Sequence, residues 1–283
     1  MCGADRYSGN GFCGCGSEIR AAKADLHMWE EPCISGTKGS GTVFFSGCCL
    51  KCCFCQNYRI SGENLGKEIS PERLSEVFLE LHKKGAHNIN LVSPTPYVPQ
   101  LIEALELCRG RLEIPVVYNT GGYERTETLK MLEGYVDVYL PDLKYFDDEI
   151  AERYSSAKNY FETAAAALRE MFRQTGPCRI ENGLIKRGII IRHLVLPSHR
   201  KDSIKIMEWI AENFPKDEIL ISLMSQYTPV YKSSRHKEIS RKISTFEYNS
   251  VVDRAAELGL DGFMQERASA VSDYTPDFDL SGL

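Results

Sequence analysis

Six short apolar runs alternate with longer amphipathic segments from residue 41 onward, and this alternation restricts the possible folds more than any other feature. The runs cover residues 42–45, 88–92, 115–119, 137–140, 188–196 and 218–224, with a weaker one at 262–265. Apolar residues recur at intervals of three and four in 71–84, 97–107, 124–132, 161–174, 203–213 and 245–258, which predicts helices there. Strands alternating with helices indicate βαβ units around a parallel sheet.

The length of the chain limits how far such a sheet can close. A closed barrel needs eight units, whereas this chain of 283 residues offers about six. We therefore predict an α/β fold, a partial (β/α)6 TIM-like barrel, with an open doubly wound sheet as the alternative. The barrel and a C-terminal tail should occupy residues 41–283. Residues 1–40 should form a short cysteine-containing N-terminal extension with one helix around residues 19–29.

Composition narrows the class of protein and its compartment. The net charge of −5 argues against a general nucleic-acid surface, which is normally basic. There is no apolar stretch of about 18 residues for a membrane span, and the N-terminus lacks the apolar segment of a signal peptide. We therefore expect a cytoplasmic protein without nucleic-acid or membrane partners. In that compartment, eleven cysteines indicate metal or redox chemistry rather than disulfides.

Five of the eleven cysteines fall between residues 48 and 55, directly after the first predicted strand. Cys48, Cys52 and Cys55 are separated by three and two residues. Three thiolates can bind three irons of a [4Fe–4S] cluster and leave the fourth iron open. A ferredoxin-type frame starting at Cys49 would be followed by Cys-Pro, which is absent. A zinc site would need a fourth ligand, and no matching Cys or His pair follows.

Two stretches around this motif, Phe-Phe-Ser-Gly-Cys at 44–48 and Cys-Gln-Asn-Tyr at 55–58, resemble the core of the radical S-adenosylmethionine (SAM) superfamily. The likeness is strongest to the branch related to pyruvate formate-lyase activating enzyme, and it extends over nearly the whole chain. It implies a [4Fe–4S] cluster on Cys48, Cys52 and Cys55. It also implies reductive cleavage of SAM to methionine and a 5′-deoxyadenosyl radical, with flavodoxin or ferredoxin as electron donor.

The same resemblance suggests SAM contacts at the ends of the predicted strands. Where the activating-enzyme family has Gly-Gly-Glu, this chain has Ser93-Pro-Thr95-Pro, which offers hydroxyl and backbone acceptors or is simply a stiff turn. Asn119 lies in an element similar to the family's Thr-Asn-Gly and is expected to contact the SAM ribose or the substrate. Asp142 and Lys144 match the family's Asp-x-Lys. Alternate strand residues face one side, so both should enter the site, with Lys144 neutralising the SAM carboxylate.

Two further candidates come from the fifth and sixth strands. Arg192 and His193 lie within an apolar strand, where a charge is costly unless it is paired or faces a cavity. Strand alternation sends the two side chains to opposite faces, so at most one should line the barrel. We predict that Arg192 contacts a carboxylate or ribose, with a structural ion pair as the alternative. Gln226 follows the sixth strand and is predicted to contact the substrate.

The N-terminal cysteines Cys2, Cys13, Cys15 and Cys33 are the remaining metal candidates. The related family often begins with a longer cysteine-rich motif, of which only Cys2 and Cys13 are recognisable here. We expect free buried thiols, with an auxiliary metal centre as the alternative.

These observations predict a radical SAM enzyme that abstracts a hydrogen atom from an unidentified small-molecule, peptide or protein substrate. The alternative is a glycyl-radical-enzyme activating enzyme, although the missing Gly-Gly-Glu and the lack of an inserted ferredoxin domain weaken that link. A non-catalytic iron–sulfur electron carrier is the third possibility.

Overall fold

A computed structural model describes residues 4–265 and 276–283, and in this part of the chain ten strands form one sheet. The strands are β1 Ile19–His27, β2 Ser40–Phe45, β3 Lys67–Ile69, β4 Ile89–Val92, β5 Val116–Thr120, β6 Val138–Pro141, β7 Arg179–Glu181, β8 Leu184–Leu194, β9 Leu220–Met224 and β10 Gly262–Met264. The helices are α1 Pro32–Ser35, α2 Tyr58–Ser61, α3 Pro71–Lys83, α4 Val98–Leu107, α5 Thr126–Met131, α6 Asp148–Ser155, α7 Tyr160–Thr175, α8 Arg200–Asn213 and α9 Thr245–Glu257.

The central sheet is parallel and open. Its order is β10-β9-β8-β6-β5-β4-β2-β1-β3, and every pair from β2 to β10 along this path is parallel. Within the described residues the two end strands, β10 and β3, do not pair with each other, so the barrel does not close. This confirms the prediction of a partial barrel. The carboxyl ends of its strands all meet at one edge, where barrel active sites are built.

The six predicted helices are present, because the spacing of their apolar residues matches the faces they bury. In α3, Leu74, Val77, Phe78 and Leu81 are buried against the sheet side. Ser70 caps the helix by accepting a hydrogen bond from the Arg73 backbone N–H, which satisfies one of the free donors of the first turn. The apolar face and the cap together explain where this helix begins.

The predicted helix around residues 19–29 is wrong: residues Ile19–His27 form β1. This strand pairs antiparallel with β2 and with β3, and its alanines lie buried between neighbouring elements. Alanine, lysine and leucine favour helix locally, but the exposed edge of β2 supplies hydrogen-bond partners for a strand, and this tertiary pairing overrides a weak propensity. Since β1 belongs to the same sheet as the barrel strands, the division at residue 40 stays a prediction.

The C-terminal residues 276–283 return to the start of the sheet. The Leu280 N–H donates to the Ala22 carbonyl, and the Ala24 N–H donates to the Ser281 carbonyl. Phe278 packs edge-on against Phe44 of β2, with 5.6 Å between ring centroids. The tail therefore covers β1 and part of β2. Among the described residues, no helix combines the length and the apolar character that crossing a membrane requires.

Candidate active site

A single pocket at the carboxyl edge of the parallel strands brings together most of the predicted site residues. The predicted residues that line it are Cys48, Cys52, Cys55, Ser93, Asn119, Asp142, Lys144, Arg192 and Gln226. They come from the segments that end or follow β2, β4, β5, β6, β8 and β9, so residues far apart in sequence meet because parallel strands end together. The pocket also contains residues that sequence reasoning missed, chiefly Trp29, Glu30, Gln56 and Asn57.

The three motif sulfurs are each held by a hydrogen-bond donor. Ser61 Oγ donates to Cys55 Sγ at 3.2 Å, and Ser155 Oγ donates to Cys52 Sγ at 2.9 Å. The Leu50 backbone N–H donates to Cys48 Sγ at 3.4 Å. A thiolate ligand gains from such donors, because they stabilise its negative charge.

Burial, together with the neighbouring Cys52 sulfur, raises the pKa of Cys48 to about 12 and that of Cys55 to about 11. Burial also raises the pKa of Cys52, while Lys144 lowers it. The effect of Cys52 on the pKa of Cys48 and Cys55 shows that these sulfurs lie close enough to repel one another as thiolates. Their ionisation is therefore favoured when a positively charged iron cluster binds them.

The structure places the cysteines of one register, Cys48, Cys52 and Cys55, at the pocket. Cys49 and Cys53 do not line the pocket, and Cys53 is buried in the hydrophobic core. The ferredoxin-type frame, which needs Cys49 as a ligand, therefore does not match the pocket. Among the described residues, no three His, Cys, Asp or Glu side chains converge as ligands of a single metal ion would. This is compatible with a cubane, in which each thiolate binds a separate iron.

Four charged side chains of alternating sign run from the cysteines across the pocket floor. Lys144 Nζ contacts Asp142 Oδ2 at 2.5 Å, Arg192 Nε contacts Asp142 Oδ1 at 2.9 Å, and Arg192 Nη1 contacts Glu30 Oε2 at 3.4 Å. Their side chains are between 10% and 17% exposed. Arg192 Nη2 also donates to Asn119 Oδ1 at 2.6 Å. Arg192 thus lines the pocket and forms the ion pairs of the alternative interpretation, and its contact with a carboxylate or ribose stays a prediction.

The pKa shifts of the acidic and basic groups differ between the two ends of this row of four charged side chains. Burial opposes ionisation of Asp142, but Arg192 and Lys144 outweigh it and hold the Asp142 pKa below its usual range. Burial works against the charge of Lys144 too, yet Asp142 raises its pKa. Glu30 differs, because burial raises its pKa although Arg192 and Asn90 oppose the rise. Lys144 pairs with one carboxylate, whereas Arg192 pairs with two. Lys144 is therefore the better placed of the two to bind a further anionic group beside the cysteines.

Glu30 reaches the pocket from the opposite end of the barrel. It follows β1, which runs antiparallel to β2, and its Oε1 accepts hydrogen bonds from the Asn90 and Asn119 amides at 2.9 and 3.4 Å. No local pattern predicts this position, since the residue follows a segment that the sequence assigned to a helix. A glutamate beside a second glutamate and a proline normally indicates an exposed turn.

Thr95 is the predicted site residue that does not line the pocket. Its hydroxyl donates to the Glu124 carboxylate at 2.5 Å, and the Thr120 hydroxyl donates to the same oxygen. Ser93, two residues earlier, lines the pocket in a left-handed conformation with φ of 58°. The Ser-Pro-Thr turn therefore presents Ser93 to the pocket and anchors itself through Thr95.

His193 confirms the predicted alternation along β8. It is buried on the face opposite to Arg192, where its Nδ1 lies 2.6 Å from the Leu143 carbonyl and its Nε2 lies 2.8 Å from Ser203 Oγ. Burial lowers its pKa to about 4, so it is a neutral structural residue.

The N-terminal cysteines lie in two places. Cys13 and Cys15 are buried near Ser46, where Cys15 Sγ lies 3.4 Å from the Ser46 carbonyl oxygen. Cys33 is buried in α1 within a separate apolar cluster. All three are free thiols. Cys2 lies outside the described residues, so an auxiliary metal centre that includes it stays untested.

Comparison with known proteins places these features in a family. Residues 42–210 match the sequence profile of the Radical SAM superfamily. The chain is 32% identical over 272 residues to the uncharacterized protein MJ0674 of Methanocaldococcus jannaschii, covering 92% of this chain and 73% of the relative.

Solved structures share the fold at low sequence identity. SuiB of Streptococcus suis bound to the precursor peptide SuiA superimposes with a TM-score of 0.55 at 13% identity, covering 77% of this chain and 46% of that one. A radical SAM methyltransferase from Sphaerobacter thermophilus gives a TM-score of 0.54 at 12% identity, covering 80% and 66%. This chain thus spans about half the length of SuiB, and at such identities the likeness concerns the fold.

Proposed function

The chain belongs to the radical SAM superfamily, and from this premise we propose that it abstracts a hydrogen atom from a small-molecule, peptide or protein substrate through a radical made from SAM. The observation that carries the proposal is the pocket in which three hydrogen-bonded cysteine sulfurs lie beside a buried lysine. An electron-carrier protein has no need for such a charged pocket next to its cluster.

The cofactors of the superfamily, a [4Fe–4S] cluster and SAM, fit this donor set. Cys48, Cys52 and Cys55 would hold three irons, and the remaining iron would face the pocket that SAM enters. Bound and reduced there, the cluster would supply the one electron that cleaves the C5′–S bond of SAM and so provide the radical for hydrogen abstraction.

The residues of this chain would bind and orient SAM rather than react with it. Lys144 would neutralise the SAM carboxylate, and Asp142 holds the Lys144 ammonium in place at 2.5 Å. Asn119, held by Arg192 and Glu30, lines the same pocket and would contact the ribose. Ser93 would accept from the amino group through its hydroxyl or backbone. Unlike the activating-enzyme pattern, this set offers that amino group no charged partner from the turn after β4.

Part of the pocket wall is apolar. Phe44, Val92, Leu194 and Met224 line it together with Trp29, which is 54% exposed. Apolar walls exclude water and would keep the radical from reacting with solvent. SuiB, which shares the fold, was solved with a precursor peptide, and this supports including peptides among the substrates to be screened.

The experiment measures SAM cleavage directly. The protein is reconstituted anaerobically with iron and sulfide, reduced with dithionite and given SAM, and 5′-deoxyadenosine and methionine are quantified by chromatography. Cys48→Ala should lose both the cluster and the products. Cys53→Ala is the matched control, because that neighbouring thiol is buried away from the pocket and its loss should leave cleavage intact. A reduced cluster that gives no product, with an EPR signal unchanged by SAM, would overturn the proposal in favour of electron transfer.

A further inference from the structure

Two segments distant in sequence cover the outer side of the cysteine loop. The Lys51 N–H donates to the Ser155 carbonyl at 2.9 Å, and the Cys53 N–H donates to the Tyr154 carbonyl at 2.8 Å, which fixes the end of α6 against the loop. The Lys232 N–H donates to the Cys53 carbonyl at 2.8 Å. Residues 51–59, 152–158 and 231–238 therefore form one continuous surface directly above the cluster-binding residues.

Two further contacts join these segments laterally. The rings of Tyr58 and Tyr231 stack with centroids 4.8 Å apart, which connects α2 to the third segment. Arg153 Nε lies 3.4 Å from His236 Nδ1, which connects α6 to the same segment. Each of the three segments thus contacts the other two.

This surface is strongly positive on a chain whose net charge is −5. Its three segments hold seven Lys and Arg residues but only two carboxylates, Glu152 and Glu238. The seven cations, named here the cation face, are Lys51, Arg59, Arg153, Lys158, Lys232, Arg235 and Lys237. All are exposed except Lys51, which is half-buried. Such a local excess against an acidic background indicates a surface for a negatively charged partner.

Most of this charge is not neutralised within the protein. Glu238 pairs with Arg153 at 2.6 Å, and Glu152 pairs loosely with Lys158 at 3.9 Å. In the described part of the chain, the other five cations form no ion pair with a carboxylate; Lys232, for example, lies over the Tyr231 ring at 4.6 Å. Like charges left unpaired on one surface repel one another, so their presence is better explained by a partner than by stability.

We propose that the cation face docks an acidic one-electron carrier protein, with a flavin or iron–sulfur centre, that reduces the cluster. The inference rests on the proposed function and adds the surface through which the electron reaches the cluster. The carrier loses one electron and the cluster gains it, passing from [4Fe–4S]2+ to [4Fe–4S]+, and no bond forms or breaks. None of the seven cations lines the pocket, so a carrier bound to the face leaves that pocket free for SAM and substrate.

The position of the face favours an electron carrier over a substrate. A substrate must enter the pocket to meet the radical, whereas an electron needs only a short path to the cysteine loop. Lys232 contacts the backbone between two cluster ligands, Cys52 and Cys55, so a carrier on the face sits one layer of protein from the cluster.

The test compares two charge-reversed holoenzymes with the unchanged protein. Lys232→Glu, Arg235→Glu and Lys237→Glu are combined in one variant. Lys83→Glu, Lys130→Glu and Lys216→Glu are combined in the control, which makes the same charge change at exposed positions elsewhere. The probe is a purified flavodoxin of net negative charge. Its affinity in the oxidised form is measured by anaerobic calorimetry, and the rate of cluster reduction by its reduced form is measured by stopped-flow absorbance at low and high salt.

Electrostatic docking predicts a reduction rate at least about tenfold lower in the face variant at low salt, with a matching loss of affinity. The control variant should behave as the unchanged protein, whose rate should fall steeply with salt. Equal rates and affinities in the two variants would overturn the proposal.

Dithionite separates this outcome from failure of the proposed function, because a small reductant needs no docking surface. All three proteins should cleave SAM equally with dithionite. If none of them does so, the proposed function fails, while the flavodoxin affinities still report on the cation face.

Discussion

Glu124 provides a test of the hydrogen bonds that join the segments after β4 and β5 beside the pocket. Its side chain is buried, with the residue only 1% exposed. Thr95, which follows β4, and Thr120, which ends β5, both donate hydroxyl hydrogen bonds to it. The carboxyl group therefore ties together the segments that carry Ser93 and Asn119. Burial raises the pKa of Glu124 to about 7, although the threonine hydroxyls oppose the rise.

The direction of the pH effect follows from this raised pKa. Between the ordinary value of 4.5 and about 7, folded Glu124 keeps a proton that the unfolded chain has released. The folded state then binds more protons, so the free energy of unfolding falls as pH increases. The contribution is complete below pH 4.5 and is lost as pH passes about 7. At about 1.4 kcal/mol per pH unit, the whole effect is about 3 kcal/mol.

Glu124→Gln removes the ionisation and keeps the geometry. The amide oxygen can accept the same two hydroxyl hydrogen bonds, but it has no charge to desolvate. Relative to the unchanged protein, the variant should therefore gain about 3 kcal/mol of stability between about pH 5 and about pH 8. The assay is urea unfolding of the reduced apoprotein at several pH values, followed by circular dichroism. Infrared difference spectra should show the protonated carboxyl band of Glu124 disappearing near pH 7.

Glu247→Gln is a control of opposite sign. Hydrogen bonds from Arg241 hold the pKa of Glu247 well below its ordinary value, so its contribution is present at neutral pH and is lost in acid. That variant should be less stable than the unchanged protein at neutral pH, and the deficit should shrink as pH falls. A stability difference between Glu124→Gln and the unchanged protein that stays constant with pH, or decreases as pH rises, would refute the assignment of a protonated Glu124.

Three further perturbations test the charges and sulfur contacts of the pocket. Lys144→Met should weaken SAM binding about tenfold, as expected for loss of one buried charge pair worth about 1.4 kcal/mol, with unchanged iron content; calorimetry of the reconstituted protein measures it. Asp142→Asn leaves Arg192 without its closest carboxylate and should lower the free energy of unfolding by about 3–5 kcal/mol in urea titration. Ser155→Ala removes the hydrogen bond to Cys52 Sγ and should shift the cluster potential to a more negative value, measured by EPR redox titration, because hydrogen bonds to sulfur favour the reduced state.

The barrel could be predicted from the sequence because its signals are local. The parallel strands β2, β4, β5 and β6 are buried on both faces and so form continuous apolar runs, and the covering helices have apolar stripes of helical period. The site positions Asn119, Asp142, Lys144 and Arg192 could be found for the same reason, since they occupy strands or strand ends that meet at one edge. The spacing of the cysteines is also local, and it specifies a cluster before any fold is known.

The errors occurred where tertiary contacts decide the outcome. Residues 19–27 have the composition of a helix, and only the free edge of β2 makes them a strand. Because β1 runs antiparallel to β2, Glu30, which follows β1, lies beside Arg192. The wrong prediction of a helix therefore also hid a pocket residue. Its position just after a strand favours Thr95 as a SAM contact. Its hydroxyl instead donates a hydrogen bond to the buried carboxyl group of Glu124, which lies 29 residues further along the chain.

The two sides of the cysteine loop also differ in whether local sequence or tertiary contacts specify them. The inner side must present three sulfurs at fixed spacing, which neighbouring residues alone can specify. The outer side must be reached by a partner while its backbone groups stay hydrogen-bonded, and these bonds come from Tyr154, Ser155 and Lys232, which are brought together only by folding. The three segments carry two, two and three lysines and arginines, and folding brings these separate groups together on one surface. A loop whose sulfurs face a partly apolar pocket and whose backbone is covered by charged segments can keep water from the radical and still accept an electron from outside.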